Sequence, residues 1–377
     1  MPMGSVFPAC RRALATLLLS ALLGGCQEEQ RRAMTEQVDL PLVVAHRGAS
    51  GERPEHTLEA YRLAVEQGAD YLEPDLVITR DGVLVARHEN EIGETTDVAD
   101  RSEFAGRRST KVIDGREVKG WFTEDFTLEE IRTLRAKERL PQLRPANMVW
   151  DGRLTVPTLD EIVELAKAES RRVGRTIGVY PETKHPTYFR SIGLPLEEPL
   201  VETLHRHGWR DASAPVFIQS FEVANLRLLR EMTGLRLVQL LAPQGKPFDF
   251  RVADDPRTYR DLATPEGLVE IALYAQGIGP HKDLVIPLDS AGSLGEPTSL
   301  VRDAHALGLV VHAWTFRSEN YFLPVDLRLG DPGDPDFLRQ RGDDPAEYRR
   351  FFETGLDGVF TDHPGHASAA RRTGRQR

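Results

Sequence analysis

Residues 43–61 read VVAHRGASGERPEHTLEAY, a stretch that joins a short apolar run to an amphipathic segment. The apolar run ends at His46 and Arg47, and a helical pattern follows over about residues 57–67. The same alternation recurs through the chain in eight units, with near-continuous apolar runs between the helices. This rhythm predicts a parallel sheet covered by helices. Eight units favour a closed (β/α)8 TIM barrel, with an open doubly wound sheet as the alternative.

Two segments interrupt the alternation. Residues 89–156 are rich in charge and glycine and are predicted to form an insertion after the second strand. One helix is expected there, over the stretch TLEEIRTLRAKERL, and residues 242–262 form a second irregular stretch. Residues 27–40 read as a polar linker. The barrel itself is therefore expected over residues 41–370.

The first 26 residues have the pattern of a targeting signal. Arg11 and Arg12 precede the apolar run ALATLLLSALL, which is too short to span a bilayer. The run ends in LGGC, which resembles the lipobox of bacterial lipoproteins and implies acylation at Cys26. We therefore expect an exported, periplasmic protein, held to the membrane by an N-terminal lipid anchor. The alternatives are an ordinary signal peptide cleaved near the same glycines and a disordered leader.

Composition limits the classes of partner. The chain has 377 residues, 40% of them hydrophobic, which is enough for a large core. Its net charge of −10 argues against a nucleic-acid partner, because no basic field attracts phosphate backbones. A small anionic substrate needs only a local cluster of cations. The two cysteines, Cys10 and Cys26, lie at or before the predicted cleavage point, so the mature fold contains no disulfide framework. The oligomeric state is not indicated.

The residues at the strand ends carry most of the chemistry. In a (β/α) barrel, the carboxyl ends of the strands face the active site. The charged, imidazole and amide side chains near these ends, with one tryptophan, are His46, Arg47, Glu73, Asp75, His88, Glu182, Lys184, Gln219, His312, Trp314 and Asp362. This set exceeds what a polar rim alone would supply.

Two of these acids, Glu73 and Asp75, are separated by one residue, so that their side chains face the same way in a strand. With Glu182 from the neighbouring strand they could form an all-oxygen site suited to Ca²⁺ or Mg²⁺. The alternative is a structural salt bridge to Lys184 or Arg47. The proline between the first two acids removes a ladder donor and predicts a local irregularity.

The two strand-end histidines, His46 and His88, form the natural proton-transfer pair. Arg47 suits bidentate binding of a phosphate or carboxylate. Gly48 and Gly51 are expected to let the backbone approach a ligand closely.

Several motifs together resemble the glycerophosphodiester phosphodiesterase family. They are HRGASG-x₂-PEHTLEAY, GADYLEPDLVITRDGVLVARHE, YPETK, IQSF and GVFTDHP, which occur in the family's order. The resemblance implies a (β/α)8 barrel that hydrolyses glycerophosphodiesters to glycerol 3-phosphate and an alcohol. It also implies a divalent cation, with Ca²⁺ preferred to Mg²⁺. The stretch that begins the insertion resembles the bacterial periplasmic subgroup, in agreement with export.

The resemblance assigns roles by position. The assignments are His46 and His88 as the acid/base pair, Glu73, Asp75 and Glu182 as metal ligands, Arg47 and Lys184 at the phosphate, and Trp314 near the glycerol. One departure is Glu89, which follows His88 where many members have aspartate. Two other functions share this pattern. One is a phospholipase-type phosphodiesterase acting on lysophospholipids or intact lipids, and the other is a non-catalytic surface binding protein on the same barrel.

Overall fold

The strands follow the predicted alternation in a computed structural model that describes Met1 and residues 40–373. The strands are β1 (Leu42–His46), β2 (Tyr71–Glu73), β3 (Asp75–Ile78), β4 (Leu84–Ala86), β5 (Ser109–Ile113), β6 (Arg116–Gly120), β7 (Gly178–Val179), β8 (Glu182–Thr183), β9 (Phe217–Ser220), β10 (Arg236–Leu241), β11 (Gly277–Pro280), β12 (Val310–Phe316) and β13 (Gly358–Thr361). Apart from Met1 and Leu40, two predicted segments lie outside the described residues. They are the signal segment 1–26, which includes Cys26, and the linker 27–40.

The helices lie between the strands. They are α1 (Leu58–Glu66), α2 (Leu128–Ile131), α3 (Leu159–Val173), α4 (Pro186–Ser191), α5 (Glu197–Arg206), α6 (Val223–Met232), α7 (Phe248–Val252), α8 (Tyr259–Leu262), α9 (Pro265–Ile271), α10 (Lys282–Val285), α11 (Leu300–His305), α12 (Asp344–Phe352) and α13 (Pro364–Thr373). Among residues 40–373, no helix is both long and apolar enough to cross a membrane.

The main sheet curls into a TIM-barrel-like fold. Its strand order is β4-β3-β8-β9-β10-β11-β12-β13-β1-β2-β7, and its pairs are parallel except β3–β4. Pro74 separates β2 from β3, and residues 180–181 separate β7 from β8. The first halves, β2 and β7, pair with each other, and so do the second halves, β3 and β8. Each interrupted strand therefore links the two ends of the curled sheet, and the carboxyl ends of the strands converge on one rim.

Helix α1 shows how the first unit is specified by its residues. Thr57 caps the helix by accepting a hydrogen bond from the backbone N–H of Ala60. Ala60, Tyr61 and Ala64 are completely buried, a spacing that puts them on one helical face. This face packs the helix onto the barrel and fixes the loop that follows His46 and carries Arg47, since the N–H of Ala49 donates to the carbonyl of Ala60.

The interior of the barrel is filled by aromatic and branched side chains. Val44, Tyr180, Phe217, Val238 and Phe360 form one buried cluster. The rings of Tyr180 and Phe217 stack at 5.0 Å. Fully burying a side chain of this kind contributes about 1.5–3 kcal/mol. The barrel is thus a packed core and not a channel, so its chemistry is restricted to the rim.

Residues 89–156 contain the β5–β6 hairpin. Asp114 and Gly115 form its tip with φ of 47° and 79°, the left-handed pair that a tight hairpin turn requires. The predicted helix over TLEEIRTLRAKERL is wrong, because only Leu128–Ile131 is helical. Beyond it, burial alternates with a period of two and Ala136 bridges to Thr96, so extended pairing replaces the helix. That this segment is an insertion relative to the family stays a prediction.

Candidate active site

Three carboxylates lie together where β2, β3 and β8 meet. Glu73 ends β2, Asp75 begins β3, and Glu182 begins β8 directly opposite Asp75. One oxygen of each side chain lies within 4.8 Å of the others, and all three residues are buried. The structure therefore brings the predicted metal-ligand trio together, across the strand break that Pro74 introduces.

The charges in this cluster fit a divalent cation. Burial and the adjacent Asp75 raise the pKa of Glu73 well above its usual value. Burial, reinforced by Asp75, raises the pKa of Glu182 to about 8. Burial acts to raise the pKa of Asp75, but the charges on Lys184 and Arg47 outweigh it and hold this pKa well below its usual value. Three buried acids that disfavour joint ionisation form an oxygen-only donor set, which is the kind that Ca²⁺ and Mg²⁺ bind.

The salt bridges considered as an alternative also exist. Lys184 Nζ lies 2.9 Å from Glu182 Oε1, and Arg47 Nε lies 3.1 Å from Asp75 Oδ2. Gln219 Nε2 donates to Glu73 Oε1 at 3.2 Å, while the Oε1 of Gln219 is buried without a partner. The three carboxylates and the two cations thus form one network. Within it, the Oε1 of Gln219 has no hydrogen-bond partner among the described protein groups.

Arg47 is held by carboxylates on two sides. Its Nη1 donates to Glu55 Oε2 at 3.0 Å, and its backbone N–H donates to Glu73 Oε2 at 2.8 Å. Asp75 Oδ2 also lies 3.0 Å from Nε2 of His56, a completely buried histidine. These contacts fix the guanidinium beside the carboxylate trio. His56 lies inside the motif PEHT, which marked only the start of a helix in the sequence.

His46 is oriented by an acid from the last strand. Its Nδ1 lies 2.6 Å from Asp362 Oδ1, and Arg144 Nη2 donates to Asp362 Oδ2, also at 2.6 Å. Arg317 Nε contacts the same carboxylate at 2.8 Å. Burial and the charge on Arg47 lower the pKa of His46 to about 3, although Asp362 acts in the opposite direction. The ring is neutral at pH 7, and Nε2 is left as the atom that can exchange a proton.

His88 lies near the same cations. Burial, with the charges on Arg47 and Lys184, lowers its pKa to about 3. Its Nδ1 lies 2.8 Å from Glu89 Oε1. The other oxygen of Glu89 lies 2.9 Å from Nε2 of His185, whose Nδ1 lies 2.7 Å from Asp114 Oδ2 at the hairpin tip. The hairpin of the 89–156 segment thus reaches the second predicted catalytic histidine.

A cavity of about 370 Å³ opens beside Lys184. Glu89, Glu182, His185 and Phe221 line it, and Lys184 Nζ lies 5.8 Å from the centre of the Phe221 ring. Trp314 packs edge-on against Phe221 at 5.6 Å and donates its indole N–H to the carbonyl of Gly279. The predicted substrate residues Lys184 and Trp314 are therefore linked through one aromatic ring at this cavity.

The two glycines allow close packing within the protein, and their expected role beside a ligand stays a prediction. A Cβ on Gly48 would lie 2.7 Å from Ala60, and one on Gly51 would lie 2.2 Å from the ring of His363. The missing side chains therefore allow α1 and His363 to pack closely against the loop. His312 is likewise structural, since its Nδ1 lies 2.9 Å from the hydroxyl of Tyr180 inside the barrel.

The sequence did not assign roles to several residues that complete the site. Asp362 was visible as a strand-end acid, but its partners were not. Arg144 and Asp114 come from segments that carry no motif of their own, whereas His185 directly follows the YPETK motif. Glu89 and His185 also offered a signal, because each directly follows a predicted site residue.

Residues 46–366 match the glycerophosphoryl diester phosphodiesterase family. The chain is 34% identical to glycerophosphodiester phosphodiesterase GDPD6 of Arabidopsis thaliana, over 95% of each chain. It is 29% identical to the glycerophosphodiester phosphodiesterase of Haemophilus influenzae, over 93% of this chain and 95% of the relative.

Solved structures show the same fold. A putative glycerophosphoryl diester phosphodiesterase from Silicibacter pomeroyi aligns with a TM-score of 0.61 and 22% identity, covering 89% of this chain and 94% of that one. A phosphodiesterase from Oleispira antarctica, solved with the product sn-glycerol-3-phosphate, aligns with a TM-score of 0.53 and 21% identity, covering 88% and 96%. The strand-end motifs, the rim geometry and these matches agree, and the chain belongs to the glycerophosphoryl diester phosphodiesterase family.

Proposed function

We propose that this enzyme hydrolyses glycerophosphodiesters to glycerol 3-phosphate and an alcohol, with a divalent cation held by Glu73, Asp75 and Glu182. The observation that supports it best is the buried carboxylate trio, with oxygens within 4.8 Å of one another beside Arg47 and Lys184. A bound cation would neutralise charge on the phosphodiester and lower the pKa of the attacking hydroxyl.

We propose Ca²⁺ in preference to Mg²⁺. Mg²⁺ demands a near-ideal octahedron and keeps several waters, whereas Ca²⁺ accepts an irregular shell of carboxylates. A trio drawn from an interrupted strand and its neighbour, with all three side chains buried, suits the more tolerant ion.

The proton transfers fall to His46 and His88. One ring accepts the proton of the attacking hydroxyl, whether that of the glycerol moiety or of water, as the new P–O bond forms. The other ring donates a proton to the departing alkoxide as the old P–O bond breaks. Where the glycerol hydroxyl attacks, the cyclic phosphate that results is opened by water in a second step, with the roles of the two rings exchanged. Both rings are neutral in the free enzyme because of burial and nearby cations. A phosphate anion beside Arg47 and Lys184 would offset those charges and let one ring hold the proton that it donates.

The cations bind and stabilise the reacting phosphate. Arg47 is fixed by Glu55 and Asp75, and Lys184 is fixed by Glu182. Preorganised charges of this kind act where negative charge develops in the transition state, and they need no reorganisation during the reaction.

The experiment measures release of glycerol 3-phosphate from glycerophosphocholine by the purified protein. We expect turnover that a chelator abolishes and that Ca²⁺ restores better than Mg²⁺. His46→Ala and His88→Ala should each lose about 10²–10⁴-fold in kcat. His207→Ala is the matched control, since His207 pairs with Asp160 at 2.9 Å outside the site.

Two results would refute this assignment. Wild-type turnover by either active-site alanine variant would exclude that histidine as an acid or base. Efficient cleavage of lysophosphatidylcholine with none of glycerophosphocholine would instead indicate a phospholipase-type enzyme.

We also propose export and lipid anchoring through Cys26, supported by the leader and the LGGC stretch in the sequence. Metabolic labelling with a radioactive fatty acid should mark the wild-type protein in a bacterial host. Cys26→Ser should abolish the label, and a labelled Cys26→Ser protein would refute the proposal.

A further inference from the structure

A series of four side chains runs from the hairpin tip at Asp114 to His88. Asp114 Oδ2 lies 2.7 Å from His185 Nδ1, and His185 Nε2 lies 2.9 Å from Glu89 Oε2. Glu89 Oε1 then lies 2.8 Å from His88 Nδ1. The first pair joins residues 71 positions apart in the chain, so the series depends on the docking of the hairpin onto the barrel rim.

The backbone is shaped to make these contacts. Asp114 and His185 both have positive φ, at 47° and 49°, a conformation that costs free energy for residues other than glycine. His185 places both ring nitrogens against carboxylates, which keeps the ring protonated, in agreement with a pKa raised to about 9. The charged ring in turn holds Glu89, whose carboxylate would otherwise turn into solvent, since half of this side chain is exposed.

We propose that Asp114, His185 and Glu89 are positioning residues that fix the ring of His88 for proton transfer, which makes the β5–β6 hairpin part of the active site. This inference rests on the proposed function of His88. Glu89 fixed in this way favours the tautomer with hydrogen on Nδ1, which leaves Nε2 of His88 for the substrate proton.

Glu89 Oε1 and His88 Nδ1 lie 2.8 Å apart, but their contact lacks hydrogen-bond geometry in this state. Catalytic hydrogen bonds are often misaligned without substrate and tighten when it binds. Glu89, Asp114 and His185 all line the cavity of about 370 Å³ beside Lys184. A substrate group that enters this cavity therefore contacts the series and can complete the alignment.

The test compares His185→Gly and Asp114→Asn with the wild type. Glycine and asparagine both tolerate the positive φ at these positions, so neither backbone is strained. We expect kcat to fall about 10- to 100-fold, with KM and Ca²⁺ affinity near the wild-type values. Added imidazole should restore kcat to His185→Gly, because it can enter the cavity. His207→Gln removes a similar histidine–aspartate pair elsewhere and should change nothing.

Three results would overturn the proposal. One is a kcat within twofold of the wild type in both variants. Another is a joint loss of kcat and Ca²⁺ affinity, which would indicate a merely structural role. The third is a set of ring ¹⁵N shifts of His88 that is the same in the wild type and in His185→Gly. These shifts need no turnover and therefore test this proposal separately from the proposed function. A single tautomer in the wild type that becomes a mixture in His185→Gly supports positioning, and unchanged shifts refute it.

Discussion

Cation binding should stabilise the fold, and Glu73→Gln should remove that effect while leaving the cation-free protein intact. The pKa of Glu73 is raised well above its usual value by burial and Asp75, which favours the protonated form of the acid. Glutamine matches the protonated acid in shape and keeps an oxygen for the N–H of Arg47. Its new NH₂ group faces Gln219, whose unpartnered Oε1 can accept it after an amide flip.

The size of the effect follows from linkage. A cation at 100 times its Kd stabilises the folded state by about 2.7 kcal/mol. Unfolding entropy of about 2.1 cal/mol/K per residue gives about 0.7 kcal/mol/K over residues 40–373. The wild-type Tm should therefore rise by about 4 °C when Ca²⁺ replaces a chelator. Glu73→Gln should show a shift of less than about 1 °C, from a cation-free Tm within about 1 °C of the wild type.

The assay is thermal unfolding followed by circular dichroism, with chelator and with saturating Ca²⁺. Glu222→Gln is the matched control, because Glu222 is also a buried glutamate whose pKa burial raises to about 8, but it lies outside the trio. The control should keep the full shift. A full shift in Glu73→Gln, or none in the wild type, would refute the assignment of the cation to these carboxylates.

Three further outcomes are expected. Asp362→Asn should lower kcat on glycerophosphocholine by about 10²–10⁴-fold, because the carboxylate that fixes Nδ1 of His46 is lost; unchanged kcat would contradict that orientation. The pKa of folded His185 is raised to about 9, so the protonated ring contributes up to about 3 kcal/mol to the free energy of unfolding. This contribution is complete below pH 6.5 and is lost as the pH rises through 9. Urea unfolding at pH 6 and pH 10 checks this, since His185→Gln should be destabilising only at the lower pH. Arg116 and Arg251 line the cavity beside the site, and neither has a carboxylate partner within residues 40–373. Neutralising both should lower kcat/KM several-fold for diesters whose alcohol carries an added phosphate, but not for glycerophosphocholine, and equal effects on the two substrates would refute this preference.

Local patterns predicted the barrel strands well because their apolar runs are buried by any arrangement that covers both faces of a sheet. They failed for residues 127–140, where helix-favouring residues lie in an extended segment. There Ala136 pairs with Thr96, and this long-range contact outweighs intrinsic helix propensity. The glycines after β1 show the same limit, since their neighbours Ala60 and His363 are set by packing.

The sequence by itself determined which residues stand at the strand ends. The alternating geometry of a strand places Glu73 and Asp75 toward one site, and the end of the parallel strand β1 brings His46 to the same rim. Glu182 follows β7, the first half of an interrupted strand, and His88 follows the antiparallel strand β4. These are local rules, so the motifs that follow from them also identify the family.

Tertiary structure alone decided how those residues are held and charged. Asp362 meets Arg144 across 218 positions, and Asp114 meets His185 across 71. Such partners are selected by the need to satisfy buried charges at a rim assembled from distant segments. No local periodicity encodes that need, and it appears only when the chain has folded.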